Sequence, residues 1–117
     1  MESILTSMKK LLGMPEEYEA YDADLIIHIN SVFGILHQLG AGPDEGFSIN
    51  NKESVWSDFL PKSQKLEDVK SYMYLKVRLI FDPPQSSSVL TSMQETIKEL
   101  EWRINAAVDP KEVVANG

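Results

Sequence analysis

The chain has 117 residues, of which 43% are hydrophobic and 25% are charged, and its formal net charge is −7 at pH 7. That length suits a single folded domain that buries about two-thirds of its unfolded surface without disulfides or metal ions. The negative charge argues against a protein that binds nucleic acid by charge neutralisation, and the absence of cysteine excludes disulfides, thiolate nucleophiles and cysteine-held metal centres.

The sequence contains no segment that we expect to enter a membrane. No apolar run approaches the length needed to span a bilayer. The first residues, Met1-Glu2-Ser3-Ile4-Leu5, lack the basic start and long apolar core of a signal peptide. We therefore expect a cytosolic, acidic protein with one domain.

Residues 3–12 predict a short helix with Ser3 as its N-cap. Lys9 and Lys10 lie near its C-terminus, where positive charge favours the helix dipole, and Gly13 ends it. Its apolar residues are Ile4, Leu5, Met8, Leu11 and Leu12. An alternative for this apolar face is a membrane-surface patch, but the short length and the small number of lysines favour core packing.

A longer helix is predicted for residues 23–39, with Asp22 as N-cap and Gly40 just after its end. Its apolar residues are Leu25, Ile26, Ile27, Ile29, Val32, Phe33, Ile35, Leu36 and Leu39. They cover more than half of the helix circumference, which predicts a central, nearly buried helix. Gly34 lowers helix propensity by about 1 kcal/mol, and we attribute its presence to the close approach of another helix.

Residues 40–51 are rich in turn formers and predict the longest loop of the chain. Phe47 and Ile49 alternate with polar residues, so a short extended piece is possible there. The glycine spacing fits neither a P-loop nor a dinucleotide fingerprint, and the loop lacks the ordered carboxylates of a calcium site. A short helix is expected over residues 52–60, ending before Pro61.

The stretch from Leu66 to Ile104 predicts two amphipathic helices that form a long antiparallel hairpin. The first apolar stripe contains Leu66, Val69, Met73, Val77 and Ile80, and the second contains Leu90, Met93, Ile97, Leu100, Ile104 and Ala107. The rigid corner Phe81-Asp82-Pro83-Pro84 should end the first helix at Phe81 or Asp82. Ser86, Ser87 and Ser88 are each suitable N-caps for the second helix.

The sequence therefore predicts an all-α fold: a small helical bundle built around a long antiparallel hairpin. We assign residues 1–108 to this domain. Residues 109–117, which begin with an Asp-Pro pair, are expected to form a flexible C-terminal tail.

We find no pattern that predicts an active site. His28 and His37 are nine residues apart on one helix and lie on opposite faces, so they cannot chelate one metal ion together. The serines at 86–88 have no base positioned by the sequence to activate them. Lys70, Lys76 and Arg78 alternate with tyrosines, as in single-strand binding proteins, but the tyrosines have core spacing and the overall charge is negative. We expect no enzymatic activity, no cofactor and no metal.

Glu95, Glu99 and Arg103 follow one another at intervals of four residues on the second hairpin helix. Glu99 and Arg103 form an ordinary helical ion-pair spacing, which favours a solvated helix face. The alternative is a contact in which Glu95 and Arg103 meet a neighbouring subunit.

Several segments resemble the head–tail connector (adaptor) proteins of tailed bacteriophages over about residues 9–108. The most specific are Tyr74-Leu75-Lys76-Val77-Arg78-Leu79 and Phe81-Asp82-Pro83-Pro84, with further similarity in Glu101-Trp102-Arg103-Ile104-Asn105 and in Asp24-Leu25-Ile26-Ile27-His28-Ile29-Asn30-Ser31-Val32-Phe33. The resemblance implies a non-enzymatic structural protein that assembles as a ring under the portal, extends the DNA channel and docks the next head-completion or tail protein.

The implied partners are the portal protein, neighbouring copies in the ring and the downstream head-completion or tail protein, with DNA passing through without specific binding and no membrane contact. The implied location is the virion, after the host cytoplasm. As interface candidates we select Lys76, Arg78, Glu95, Glu99 and Arg103 on the hairpin, Asp44, Glu45 and Phe47 in the loop, and Pro110, Val113 and Val114 in the tail. The alternative function is a small acidic helical inhibitor or regulatory binding module.

Overall fold

The computed structural model describes residues 2–106 and contains five α-helices in this part of the chain. They are α1 (Ile4–Leu11), α2 (Asp22–Gln38), α3 (Trp56–Phe59), α4 (Gln64–Phe81) and α5 (Ser87–Ala106). Residues 2–106 include no β-strand; a single isolated bridge joins Ser3 to Val55. The prediction of an all-α fold is confirmed. The predicted tail, 109–117, and the predicted core position Ala107 lie outside the described residues.

Helices α4 and α5 form the predicted hairpin, and α2 packs against α4. The Ser63 hydroxyl accepts a hydrogen bond from the Leu66 N–H at 3.1 Å and caps α4. Helix α4 ends at Phe81 with Asp82 as its C-cap, as predicted. The hydroxyl of Ser86 accepts from the Val89 N–H at 3.4 Å, so Ser86 is the serine that caps α5.

The two predicted hairpin stripes are buried except at the end of α4 and at the start of α5, where Leu90 is half-buried. Buried positions are Leu66, Val69, Met73 and Val77 on α4, and Met93, Ile97, Leu100 and Ile104 on α5. Ile80 is 54% exposed, so its predicted place in the core is wrong. It lies in the last turn of α4, one turn after Val77, and the cover over the buried stripe ends before it.

Helix α2 is less enclosed than its apolar arc predicts. Leu25, Ile29, Val32, Phe33 and Leu36 are buried, and α1 and α4 pack against this helix. The side chain of Ile27 is 62% exposed, so the prediction of a nearly buried helix is wrong. A Cβ atom added at Gly34 would meet nothing within 4 Å, so no helix approaches closely there.

The two ends of α2 differ in how well the sequence predicted them. Asp22 is the first helical residue rather than the N-cap, because Tyr21 occupies the cap position without a side-chain hydrogen bond. Gly40 follows the helix with a φ of 88°, as predicted. Its N–H donates to the His37 carbonyl at 3.0 Å and the Ala41 N–H donates to the Leu36 carbonyl at 2.9 Å, which is a Schellman motif.

The chain from residue 41 to 55 packs against the domain without forming a strand. The side chain of Asn30 holds Ile49 through two hydrogen bonds, donating to its carbonyl at 2.9 Å and accepting from its N–H at 2.8 Å. Helix α3 contains four residues, so the predicted helix over 52–60 is too long. Residues 52–53 form a turn instead, and extended backbone follows at Val55, next to the Ser54 carbonyl that accepts from the Ile4 N–H at 3.0 Å.

Candidate protein-interaction surface

The predicted interface residues on α4 have partners within the chain. The Lys76 ammonium lies 6.0 Å from the centre of the Tyr72 ring. The guanidinium of Arg78 donates to the Tyr74 hydroxyl at 3.0 Å and to the Asp82 carbonyl at 3.4 Å. Both side chains are partly buried. Their charged groups therefore contact α4 itself and its C-cap, and only part of each side chain faces solvent.

On α5 the structure brings Glu99 and Arg103 together. A guanidinium nitrogen of Arg103 lies 2.8 Å from a Glu99 carboxylate oxygen, and another lies 3.9 Å from Asp68 on α4. Glu95 is exposed, and it forms no ion pair with any residue from 2 to 106. The outer face of α5 thus carries one uncompensated carboxylate beside a charge pair.

The three loop candidates occupy two different environments. Asp44 and Glu45 are exposed, although the Asp44 carbonyl accepts a hydrogen bond from His37 Nε2 at 2.9 Å. The ring of Phe47 turns inward and lies with its centre 4.9 Å from that of Phe33. Phe47 therefore anchors the loop to the core. The tail candidates Pro110, Val113 and Val114 lie outside the described residues.

The most exposed large apolar residue among 2–106 is Trp102, at 71%, and it was not among the predicted interface residues. The sequence contained the signal for it. Trp102 lies two residues after Leu100 and two before Ile104, so a helix of 100° per residue directs it away from the buried stripe. Other exposed large apolar residues are Leu11, Tyr18, Tyr21, Ile27, Ile80 and Val89.

Three aromatic rings form a cluster where the start of α2 meets the end of α4. The ring of Tyr21 lies 5.3 Å from Phe81 and 5.8 Å from Tyr18, in edge-to-face arrangements. Tyr18 and Tyr21 are both more than 40% exposed. Aromatic residues are enriched at protein interfaces relative to the rest of a protein surface.

A groove of about 420 Å³ opens between α1 and α4. Leu11, Trp56 and Tyr74 line it, with Lys10 and Lys70 among its polar residues. The Lys70 ammonium lies 3.6 Å from Glu2 and 5.9 Å from the centre of the Trp56 ring. Lys10 is exposed and forms no ion pair with the residues that the structure describes.

A protein-family model described as "Phage connector protein" matches residues 4–111. The chain belongs to the phage connector protein family. Comparison with curated proteins and with solved structures gives no match. As a member of this family, this connector is a structural component of the virion. Its partners belong to the class of phage capsid and tail proteins.

Tyr72 of this connector has a strongly shifted pKa, and its surroundings are structural. Burial, followed by the hydrogen bond from Tyr72 to the Glu101 carboxylate, raises the pKa of the Tyr72 hydroxyl. That hydrogen bond is 2.7 Å long and joins α4 to α5. Tyr72 is fully buried and lines none of the surface grooves described above. Its raised pKa therefore reports packing of the hairpin.

Two further properties of the described part concern other kinds of site. Within residues 2–106, no three histidine, aspartate or glutamate side chains are grouped as a metal site requires. None of the helices there combines the length and the apolar character that crossing a bilayer demands.

Proposed function

We propose that this connector assembles as a ring beneath the portal vertex of a tailed phage head. In that position it extends the DNA exit channel and provides the surface on which the next head-completion or tail protein docks. The free protein is present in the host cytoplasm before assembly. Membership of the connector family supports this proposal, and the exposure of Trp102 is the single structural observation that carries it.

Exposed tryptophan is uncommon on proteins that act alone, because its large apolar surface contacts water at a free-energy cost. Tryptophan is also among the residues that contribute most to binding energy at interfaces. At 71% exposure on a well-formed helix, Trp102 adds little to the core of its own chain. A partner that covers it accounts for both its position and its exposure.

A ring imposes a second requirement, which is that each subunit presents two different surfaces to its two neighbours. The described part of the chain has exposed apolar residues on several sides, including Leu11 on α1 and Val89 on α5. This distribution suits a subunit with more than one partner. The exposed loop residues Asp44 and Glu45 are then available to the portal or to the docking protein.

The charge of the protein supports a role beside moving DNA. A net charge of −7 disfavours adhesion to a phosphate backbone. DNA can then pass the ring without specific binding.

Electron microscopy of portal-bearing heads tests the proposal. Heads from the same phage are assembled without this protein, and the purified protein is then added. We expect ring-shaped density under the portal, and no added density on heads that lack a portal vertex. A soluble monomer that leaves the portal bare, and that instead forms a stoichiometric complex with a basic protein, would favour the inhibitor function.

The charge pair on α5 gives a test of the predicted interface residues. Glu99 and Arg103 are both about half exposed or more, so their ion pair contributes under 1 kcal/mol to folding. Replacing both by alanine should weaken assembly on the portal and leave the melting temperature nearly unchanged. Equal losses of assembly and of thermal stability would remove these two residues from the interface.

A further inference from the structure

We propose that neighbouring connectors in the ring join by insertion of Trp102 from one copy into the α1–α4 groove of the next. The contact is head-to-tail, and it rests on the proposed ring. The contact joins a donor surface on one copy to an acceptor surface on the next, and residues within 2–106 form both surfaces.

The donor surface is the outer face of α5. Glu95 precedes Trp102 by seven residues, so the two side chains lie on the same side of the helix and about 10.5 Å apart along its axis. The Glu99–Arg103 pair lies between and beside them. The surface therefore presents one large apolar side chain and, two turns away, one unpaired carboxylate.

The acceptor surface is the groove between α1 and α4. Its volume of about 420 Å³ is within the range of protein sites that enclose small ligands, about 300–1,000 Å³, and is large enough for an indole ring. Leu11, 52% exposed, and Tyr74 supply apolar contacts. Among the charged residues of the lining, Glu2 and Glu67 both lie beside the Lys70 ammonium, at 3.6 and 3.8 Å, whereas Lys10 forms no ion pair with the described residues. Each surface thus has one apolar element and one charged side chain without an ion pair, and these two charges are of opposite sign.

Trp102 cannot fill this groove within its own chain. The groove borders Ser71 and Tyr74 on α4, whereas α5 packs against the side of α4 that carries Asp68 and Tyr72. These two sides are separated by roughly 120° around the α4 axis. A knob and a groove on different sides of one subunit form a heterologous contact, which repeats from copy to copy and gives a ring when the rotation between copies closes.

The first test replaces Trp102 by alanine and measures ring formation on portal-bearing heads. We expect at least about tenfold weaker association, because tryptophans at the centre of interfaces carry much of the binding energy. The melting temperature should stay within a degree or two of the wild-type value, since Trp102 is mostly exposed. Ile27→Ala is the matched control: Ile27 is 62% exposed but lies on α2, outside both surfaces.

Charge reversal tests the predicted register. Lys10→Glu and Glu95→Lys should each weaken ring formation, and the double variant should recover most of it because the pair is restored with opposite polarity. Lys62→Glu, at another exposed lysine, is the control for net charge. Failure of the double variant to assemble better than either single variant would contradict the pairing of Lys10 with Glu95.

Disulfide trapping identifies the two surfaces directly, because the natural chain contains no cysteine. Ser71 lines the groove and is exposed, and Lys98 is exposed one turn before Trp102. A Ser71→Cys/Lys98→Cys double variant should give a ladder of trimers and larger products on the portal. Either single variant should give none above dimer.

The outcomes separate this contact from the ring itself. Rings that form normally with Trp102→Ala, or that give no ladder with the double cysteine variant, would overturn the contact and leave the connector ring in place. If Trp102→Ala abolishes binding to portal-bearing heads and the double cysteine variant gives no ladder, then Trp102 contacts the portal. This result would also overturn the proposed contact between neighbouring copies. Absence of wild-type rings on portal-bearing heads would overturn both proposals.

Discussion

The Lys9 ammonium lies 2.9 Å from Oδ1 of Asp22 and donates to the Glu16 carbonyl at 2.7 Å. Lys9 is only 2% exposed, whereas the sequence indicated only that it lies near the C-terminus of the first helix. This contact joins the end of α1 to the start of α2 across a connection that has no regular helix or strand.

Lys9→Met should lower the free energy of unfolding by about 2–4 kcal/mol, because it leaves the largely buried Asp22 carboxylate without its cation. Lys10→Met is the control, since Lys10 is exposed and its loss should change stability by less than about 0.5 kcal/mol. Urea denaturation of the isolated protein measures both. Similar losses in the two variants would contradict a structural role for the Lys9–Asp22 pair.

The raised pKa of Tyr72 predicts that the free energy of unfolding decreases at high pH. Its folded pKa is raised above the ordinary value of 10.0, so its contribution to stability is fully present below pH 10 and is lost as the pH rises above it. The loss approaches about 1.4 kcal/mol per pH unit for one group. Tyr72→Phe should remove this part of the pH dependence, as measured by denaturant unfolding between pH 8 and about 11.

At neutral pH the same variant should be about 1–2 kcal/mol less stable, because it lacks the hydrogen bond to Glu101. The difference in the free energy of unfolding between the wild type and Tyr72→Phe should then become smaller above pH 10. Tyr18→Phe is the control, because the Tyr18 ring lies at the surface. A gap between the wild type and Tyr72→Phe that stays constant with pH would contradict the assignment.

Two glycines should respond in opposite directions to alanine. Gly34 is helical with open space around it, so Gly34→Ala should raise the free energy of unfolding by about 0.5–1 kcal/mol. Gly42 has a φ of 87°, and a Cβ there would overlap the Phe59 ring. Gly42→Ala should therefore destabilise by more than about 1 kcal/mol. Thermal melts compare them, and a stabilised Gly42→Ala would show that the loop can move away from Phe59.

Asn30→Ala should free the loop at Ile49. Both hydrogen bonds to the Ile49 backbone are lost, which lowers stability by about 2–3 kcal/mol. Hydrogen exchange of the Ile49 amide should accelerate by a larger factor than exchange in α4. Asn51→Ala is the control, because the exposed Asn51 side chain accepts only from the Glu53 N–H. Equal acceleration in both variants would refute the role of Asn30.

Local sequence patterns were sufficient for the helices whose signals lie within a few residues. Ser3 caps α1, Gly40 ends α2, and Asp82 with two prolines ends α4, because backbone caps depend on neighbouring residues only. The stripes of the hairpin also predicted which faces pack together. The family resemblance was confirmed through residues 4–111.

Predictions that depended on what covers a residue were less successful. Ile80 continues the apolar stripe of α4, but it is 54% exposed. Periodicity cannot report this, since it gives the direction of a side chain and not what packs against it. Ile27 differs, because it lies two residues after Leu25 and two before Ile29, and the period of the helix directs it away from the buried face. For the candidate interface, helical periodicity indicated that Trp102 points away from the core, but only the structure revealed the groove between α1 and α4.

By itself, then, the sequence determined the helical architecture, the hairpin and the family, because helix periodicity and capping act over a few residues. Only the tertiary structure decided the burial of Lys9, the attachment of Ile49 by Asn30 and the exposure of Ile80. Each of these depends on residues brought together by packing from distant parts of the chain, and such contacts leave no periodic trace in the sequence.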